Sequence, residues 1–150
     1  MRTRLLARRT AAESAGEGQV ATATCCRGVR GATTASGGAD QVPLHEAVGE
    51  LLGEMLTQNQ VSTEDVAALV FTLQDDLVGA NPAAIAREHG FSQVPLLMVR
   101  EHGGDTRVAG CVRALMLINT GLPQSRIRHA YLRGARQLRP DLVTVQGDLA

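Results

Sequence analysis

The sequence predicts an α+β fold with about five strands and two main helices, and three patterns carry this prediction. Residues 94–99 and 112–118 are apolar runs of strand length, joined through a glycine-rich turn at residues 102–105. Residues 66–73 form a third apolar run, and residues 44–56 repeat apolar side chains at the spacing of an amphipathic helix. Apolar strands and one-sided helices bury their apolar surfaces against each other, so we expect a sandwich with the helices on one side of the sheet.

The composition fits one domain and argues against nucleic acid and membrane partners. The chain has 150 residues, 44% of them hydrophobic, with a net charge of zero, two phenylalanines, one tyrosine and no tryptophan. There is neither a basic stripe nor a set of stacking aromatics nor an apolar run long enough to span a bilayer, so we expect no nucleic acid and no membrane partner. Every basic residue is an arginine, whose planar fork suits carboxylates.

The cysteines and histidines predict neither a metal nor a disulfide. Cys25 and Cys26 are adjacent and Cys111 lies within a strand candidate, a spacing that matches no metal-binding pattern. The four histidines form no His-x-x-x-His motif. We therefore expect no metal site and a reducing compartment.

The two ends of the chain lack a periodic apolar face. Residues 1–24 contain four arginines among alanine, threonine and serine, which suggests an organellar transit peptide or, equally, an unstructured tail. The first alternative places the protein in the plastid stroma and the second in the cytoplasm. Residues 143–150 are expected to form a mobile tail, which leaves residues 25–142 as the domain.

The remaining elements follow in chain order. The predicted strands are residues 26–34, 66–73, 94–99, 112–118 and 127–132, and the predicted main helix runs from residue 44 to 59. Ser62 and Asp65 are placed to cap a short turn. Asn81 and Pro82 form an N-cap and first-turn proline for a second, short helix that ends near Gly90.

Two charged side chains lie on apolar strand faces. Alternation places Glu101 on the face of Leu97 and Val99, and it places Arg113 on the face of Cys111, Leu115 and Leu117. Both runs are apolar on both faces, so we expect both strands to be largely buried. An unpaired buried charge costs several kcal/mol, so each residue should have a partner, either a structural ion pair or a ligand.

Three further residues are candidates with an alternative structural explanation. Arg30 shares a strand face with Gly28 and Ala32, whose small side chains leave room for a guanidinium in a pocket or mark a bulge at the surface. Arg87 lies in the last turn of the short helix, where a cation also complements the helix dipole. Tyr131, taken alone, fits a core or interface position as well as a ligand contact.

Several separated segments resemble one known family. Residues 26–34, 94–101, 111–113, 127–132 and 138–142 resemble, in order and spacing, the monofunctional chorismate mutases of the small trimeric class. The resemblance implies ferredoxin-like subunits packed as a homotrimeric pseudo-α/β barrel with active sites at the subunit interfaces. It also implies the rearrangement of chorismate to prephenate, on the shikimate route to phenylalanine and tyrosine, without a cofactor.

The resemblance also implies roles for individual residues. Arg113 faces the ether oxygen of the substrate, Arg30 and Tyr131 bind its carboxylates, and Glu101 accepts a hydrogen bond from the ring hydroxyl. Arg87 and Arg139 correspond to arginines near the pocket entrance, and Leu97 and Met98 lie in the segment that lines the substrate. In this assignment Arg113, Glu101 and Arg30 are the catalytic residues.

The sequence departs from the family pattern at Asn81, Ala84 and Met98. These positions usually carry an aromatic residue, a lysine and a cysteine, respectively. The altered positions Asn81 and Ala84 leave open a non-catalytic trimer that binds a small carboxylate. A second alternative, an imine-hydrolysing enzyme on a similar trimeric fold, rests on fold analogy alone.

Overall fold

The computed structural model describes residues 23–35, 42–77, 79–103 and 108–143. The predicted leader therefore lies outside the described residues except for residues 23 and 24, as does the predicted tail except for residue 143. Residues 104 and 105 of the predicted glycine-rich turn also lie outside them.

The described chain contains five strands and three α-helices. They are β1 (Cys25–Thr34), α1 (Leu44–Gln58), β2 (Val66–Leu73), α2 (Pro82–Ala86), β3 (Leu96–Arg100), β4 (Cys111–Thr120), β5 (Ala130–Tyr131) and α3 (Pro140–Val143). Short 3-10 turns cover Thr63–Asp65, Gln124–Arg126 and Arg133–Leu138, and a π-helical turn at Arg87–Phe91 extends α2.

The strands form one mixed sheet in the order β3-β2-β4-β1-β5. Strand β4 pairs antiparallel with β1 and β2, whereas the outer pairs β2–β3 and β1–β5 are parallel. A parallel pair needs a crossover connection, and α2 lies within the one between β2 and β3. The predicted α+β class is confirmed.

The main core lies between α1 and one face of the sheet. Val29, Phe71 and Met116 from three strands are fully buried there, beside Leu51 and Met55 of the helix. The helix approaches β1 so closely at Gly31 that a Cβ atom there would lie 2.4 Å from the sulfur of Met55. We call this side of the sheet the helix face.

The opposite face, which we call the open face, is less covered at the β3 edge. Leu97 and Val99 lie on this face and are 58% and 42% exposed, and Met98, on the helix face beside Phe71, is 43% exposed. The prediction that both central runs are largely buried is therefore wrong for β3. It holds better for β4, where Val112, Met116 and Ile118 are fully buried. These buried residues of β4 all lie on the helix face, within the main core, whereas Leu115 on the open face of the same strand is 41% exposed.

The predicted capping residues lie at the ends of the elements that they were expected to cap. Asn81 caps α2 by accepting a hydrogen bond from the Ala84 amide at 3.0 Å, as predicted. The Ser62 amide donates to Asp65 Oδ2 at 2.8 Å, and the predicted turn follows at Thr63–Asp65. The last strand is only two residues long instead of the predicted six. No helix among the described residues is long and apolar enough to cross a membrane.

Candidate active site

The largest group of predicted site residues meets in one cavity of about 530 Å³ on the open face. Its lining comes from β1, β2, β4, β5 and the segment after β5, and consists of Arg30, Gly31, Ala32, Thr72, Arg113, Ala114, Leu115, Tyr131, Leu138 and Arg139. Four of the predicted site residues, Arg30, Arg113, Tyr131 and Arg139, are among them. Residues as far apart in the chain as Arg30 and Arg139 thus line the same cavity.

Strand register explains this convergence. Ala32 of β1 pairs with Arg113 of β4 on one side and with Tyr131 of β5 on the other. Arg30 lies two residues before Ala32 and therefore on the same face of β1. The small side chain of Ala32, in the middle of this row, separates the larger side chains around it.

Glu101 and Arg113 are partners, which answers the sequence prediction that each needs one. Arg113 Nη1 donates to Glu101 Oε2 at 2.9 Å. The other carboxylate oxygen, Oε1, accepts a 2.6 Å hydrogen bond from the hydroxyl of Thr72. The side chain of Glu101 is only 12% exposed and that of Arg113 is 37% exposed, so the carboxylate lies below the cavity surface and the guanidinium reaches it.

Cys111 lies beneath the same pair and is not a nucleophile. It is fully buried in a small cluster with Ala32, Tyr131 and Ala135. Burial raises the pKa of its thiol to about 11, and the nearby guanidinium of Arg113 offsets only part of that shift. A protonated, buried thiol offers neither charge nor access to a substrate.

Arg139 lines the cavity but is already engaged. Its Nε and Nη2 donate to the two carboxylate oxygens of Asp141 at 2.9 and 2.8 Å. This hydrogen-bonded pair lowers the pKa of Asp141 and raises that of Arg139. Among the described residues, the three lining cations Arg30, Arg113 and Arg139 and the two carboxylates that pair with them, Glu101 and Asp141, leave one net positive charge, which favours an anionic ligand.

Sequence reasoning missed three polar residues around the cavity. Thr72 holds Glu101, as described above, and His129 Nδ1 accepts from the backbone amide of Arg30 at 3.0 Å. Burial, followed by the positive charges of Arg30 and Arg139, lowers the pKa of His129, so the ring is neutral and can accept this bond. Asn59, the third, binds the backbone of Arg128 next to His129. No sequence spacing connects these residues to their partners, which lie 29 to 99 positions away.

Three predicted site residues lie outside this cavity. Arg87 is exposed in the π-helical turn after α2, and Leu97 is exposed on β3. Met98 lines a second cavity of about 420 Å³, formed with the loop that follows β2. The single chain therefore divides the predicted site residues into two sets.

The fold and the cavity define a small α+β protein with a pocket between arginines that is suited to a compact anion. Within the described ranges, no three histidine, cysteine or acidic side chains are grouped to hold a metal ion. What the cavity offers is a fixed arrangement of cations, one buried carboxylate and a tyrosine. Such a site can select a conformation and stabilise developing negative charge.

Comparison with known proteins names the class. Residues 26–142 match the family model described as chorismate mutase type I. The chain belongs to this family.

Two proteins named as chorismate mutases align with most of this chain. It is 45% identical over 121 residues to chorismate mutase AroH of Thermus thermophilus, which covers 80% of this chain and 98% of that protein. The identity to chorismate mutase AroH of Bacillus subtilis is 34% over 117 residues, 77% of this chain and 91% of the relative. The solved structure of a chorismate mutase from Clostridium thermocellum superposes with a TM-score of 0.67 at 33% identity, covering 74% of this chain and 98% of that one.

Proposed function

We propose that this chain converts chorismate to prephenate at active sites shared between the subunits of a homotrimer. The observation that carries the proposal is the cavity in which Arg30, Arg113 and Arg139 surround a site with one net positive charge. Chorismate carries two carboxylates and is compact enough for this volume. The family membership and the identity to characterised mutases support the activity.

The reaction is a pericyclic rearrangement, so it needs no nucleophile, acid or cofactor. The protein can accelerate it only by holding the reactive conformer and by stabilising charge that separates in the transition state. Arg113 is proposed to face the ether oxygen, where negative charge develops. Arg30 and Tyr131 are proposed to hold carboxylates, and Glu101 to accept from the ring hydroxyl.

The magnitudes are compatible with this assignment. A millionfold acceleration requires a reduction of the barrier by roughly 8 kcal/mol. One preorganised donor that meets charge in the transition state typically contributes about 3 to 4 kcal/mol. Arg113 together with selection of the reactive conformer can therefore supply the required stabilisation.

The open face supports a homotrimer. Leu97, Val99 and Leu115 share this face and are 58%, 42% and 41% exposed. Contiguous exposed side chains of this kind mark an interface between proteins. A neighbouring subunit that packs along the β3 edge as well as this face would also explain why Arg87, Leu97 and Met98 lie outside the cavity of their own chain, because they would line the cavity of the neighbour.

An assay separates the mutase from its two alternatives. Purified protein is incubated with chorismate, and the loss of chorismate absorbance is followed. Turnover to prephenate is the expected result. Binding of chorismate without turnover would favour the non-catalytic trimer, and hydrolysis of an imine substrate with no loss of chorismate would favour the hydrolase.

The trimer is tested by charging the open face. Leu97→Glu should abolish the trimer in light scattering, because three carboxylates would enter an apolar interface. Thr57→Glu is the matched control, since Thr57 is an exposed residue of α1. A wild-type monomer, or a trimer that tolerates Leu97→Glu, would contradict the proposal.

A mixing experiment tests whether the sites are shared. Arg87→Ala and Arg113→Lys are made as separate variants and then coexpressed. In mixed trimers some interfaces combine an intact Arg113 from one subunit with an intact Arg87 from the next, so activity should exceed that of either variant. Activity no greater than the average of the two would place both arginines in the site of a single chain.

A further inference from the structure

We propose that Thr72 is a positioning residue for Arg113: its hydrogen bond orients the Glu101 carboxylate so that one oxygen alone faces Arg113 and accepts from it. Within the described structure, the donors of Arg113 that face the cavity can then meet the substrate. This inference rests on the proposed function, because it assigns Arg113 to the transition state. It concerns a hydroxyl that neither the sequence patterns nor the family resemblance singled out.

The geometry divides the carboxylate between two donors. Oε1 of Glu101 lies 2.6 Å from the Thr72 hydroxyl, and Oε2 lies 2.9 Å from Nη1 of Arg113. Thr72 and Arg113 are cross-strand neighbours in the pairing of β2 with β4. The amide of Glu101 donates to the Leu73 carbonyl at 2.9 Å, which fixes the backbone of the carboxylate beside the same strand.

A guanidinium beside an unoccupied carboxylate adopts a different arrangement. Arginine and carboxylate form two parallel hydrogen bonds when both oxygens are available, and this paired geometry is the more stable one. Arg139 and Asp141 show it in the same cavity, with both oxygens bound at 2.9 and 2.8 Å. The contrast indicates that the Thr72 hydroxyl holds the Glu101 carboxylate in an orientation in which Oε1 does not face the second arm of the Arg113 fork.

Whether Arg113 makes one or two hydrogen bonds to Glu101 determines how many of its donors face the cavity. A guanidinium has five N–H donors in a planar fork, and a bond through one nitrogen leaves donors for another anion. Because the side chain of Arg113 is 37% exposed and lines the cavity, those donors can meet a bound substrate. A second bond to Glu101 would turn the plane of the fork toward the buried carboxylate and away from the cavity.

Thr72→Val tests the inference, since it removes the hydroxyl and keeps the shape and β-branch. We expect kcat to fall by about tenfold or more while KM changes by less than about threefold, the pattern of an interaction lost only in the transition state. Thr72→Ser retains the donor and should stay within about threefold of the wild type in kcat. Equal activity of Thr72→Val and wild type would overturn the proposal.

A double variant separates positioning from a general structural role. Lysine cannot form the two-pronged pair, so adding Thr72→Val to Arg113→Lys should lower kcat by less than about threefold further. Multiplication of the two single effects would instead show that Thr72 acts independently of Arg113. Thr33→Val is the matched control, because the Thr33 hydroxyl is buried without a hydrogen-bond partner in the described structure and lies on the helix face. It should leave kcat unchanged.

The crystal structure of the Thr72→Val variant decides the question without relying on turnover. The expected result is a second nitrogen of Arg113 within hydrogen-bond distance of Glu101 Oε1. An unchanged single bond would overturn the inference even if the enzyme were active. If the wild type did not convert chorismate, the proposed function would fail, and the variant structure would still show whether Thr72 controls the pair.

Discussion

Asn59 and Arg128 are joined by two hydrogen bonds that reproduce the pairing of two strands. Asn59 Nδ2 donates to the Arg128 carbonyl at 2.9 Å, and the Arg128 amide donates to Asn59 Oδ1 at 2.8 Å. The same Nδ2 donates to the Met55 carbonyl at the end of α1. This buried side chain thus ties the last turn of the main helix to the segment that leads into His129 and Tyr131.

Replacing Asn59 by alanine should destabilise the protein strongly. Asn59 is 1% exposed, so its removal leaves the backbone amide and carbonyl of Arg128 unpaired in a dry site. The expected loss is on the order of 3 kcal/mol in the free energy of unfolding, measured by urea denaturation. Thr57→Ala, on the exposed side of the same helix, is the control and should change stability little. A loss as small as that of the control would mean that water replaces the side chain.

Arg113→Lys and Arg139→Ala should affect catalysis and binding differently. Because Arg113 is assigned to charge that exists only in the transition state, its substitution should lower kcat and kcat/KM together by about a hundredfold or more. Arg139→Ala should raise KM with kcat within a few-fold, since it removes a cation and also releases the carboxylate of Asp141 near the cavity. Steady-state kinetics measure both, and light scattering checks that both variants keep the oligomeric state of the wild type. Normal turnover of Arg113→Lys, or its unfolding, would remove Arg113 from the catalytic role.

The stability of the protein should depend on pH through His129. Its pKa is lowered in the folded state by burial and by Arg30 on β1 and Arg139 after the last 3-10 turn. The unfolded chain, with an ordinary pKa near 6.5, therefore binds the proton first as pH falls. The contribution of His129 to stability is fully present above about pH 6.5 and decreases below it, down to the folded pKa.

Asparagine can accept a hydrogen bond from the Arg30 amide without titrating, so His129→Asn should lose less stability than the wild type between pH 7 and pH 5 in chemical denaturation. Parallel losses would show that other groups dominate.

Turnover at saturating chorismate should be nearly flat from about pH 6 to pH 9. No proton moves in a pericyclic step, so the chemical step itself imposes no pH limb in this range. The measurement is kcat as a function of pH in buffers of constant ionic strength. A bell-shaped profile with both limbs in this range would indicate acid-base chemistry and would favour the hydrolase.

The sequence was most informative where the signal is local. The 3.6-residue spacing predicted α1, the capping residues Asn81 and Pro82 predicted α2, and the misplaced charges of Glu101 and Arg113 predicted a paired site. A charged side chain on an apolar strand face can be recognised from the sequence of that strand alone, even before its partner is known.

The sequence was least informative where the burial or pairing of a residue depends on a partner that is distant in the chain. An apolar run shows that a surface should be covered but not which layer covers it, so the exposure of Leu97 and Val99 was not predictable. The last strand is shorter than its apolar pattern suggests because a side chain, His129, replaces the backbone acceptor for Arg30 just before the pairing begins. Thr72 carried no signal at all, since a threonine in a strand is ordinary.

The order in which the cavity residues occur in the chain has a consequence for biosynthesis. Arg30 is made early, whereas Tyr131, Leu138 and Arg139 follow β4, and β5 joins the sheet only at the outer edge of β1. During translation, β1, β2, β3 and β4 can pair before these residues leave the ribosome. A nascent chain that stops after Thr120 can therefore be folded at its centre and still lack one wall of its substrate cavity.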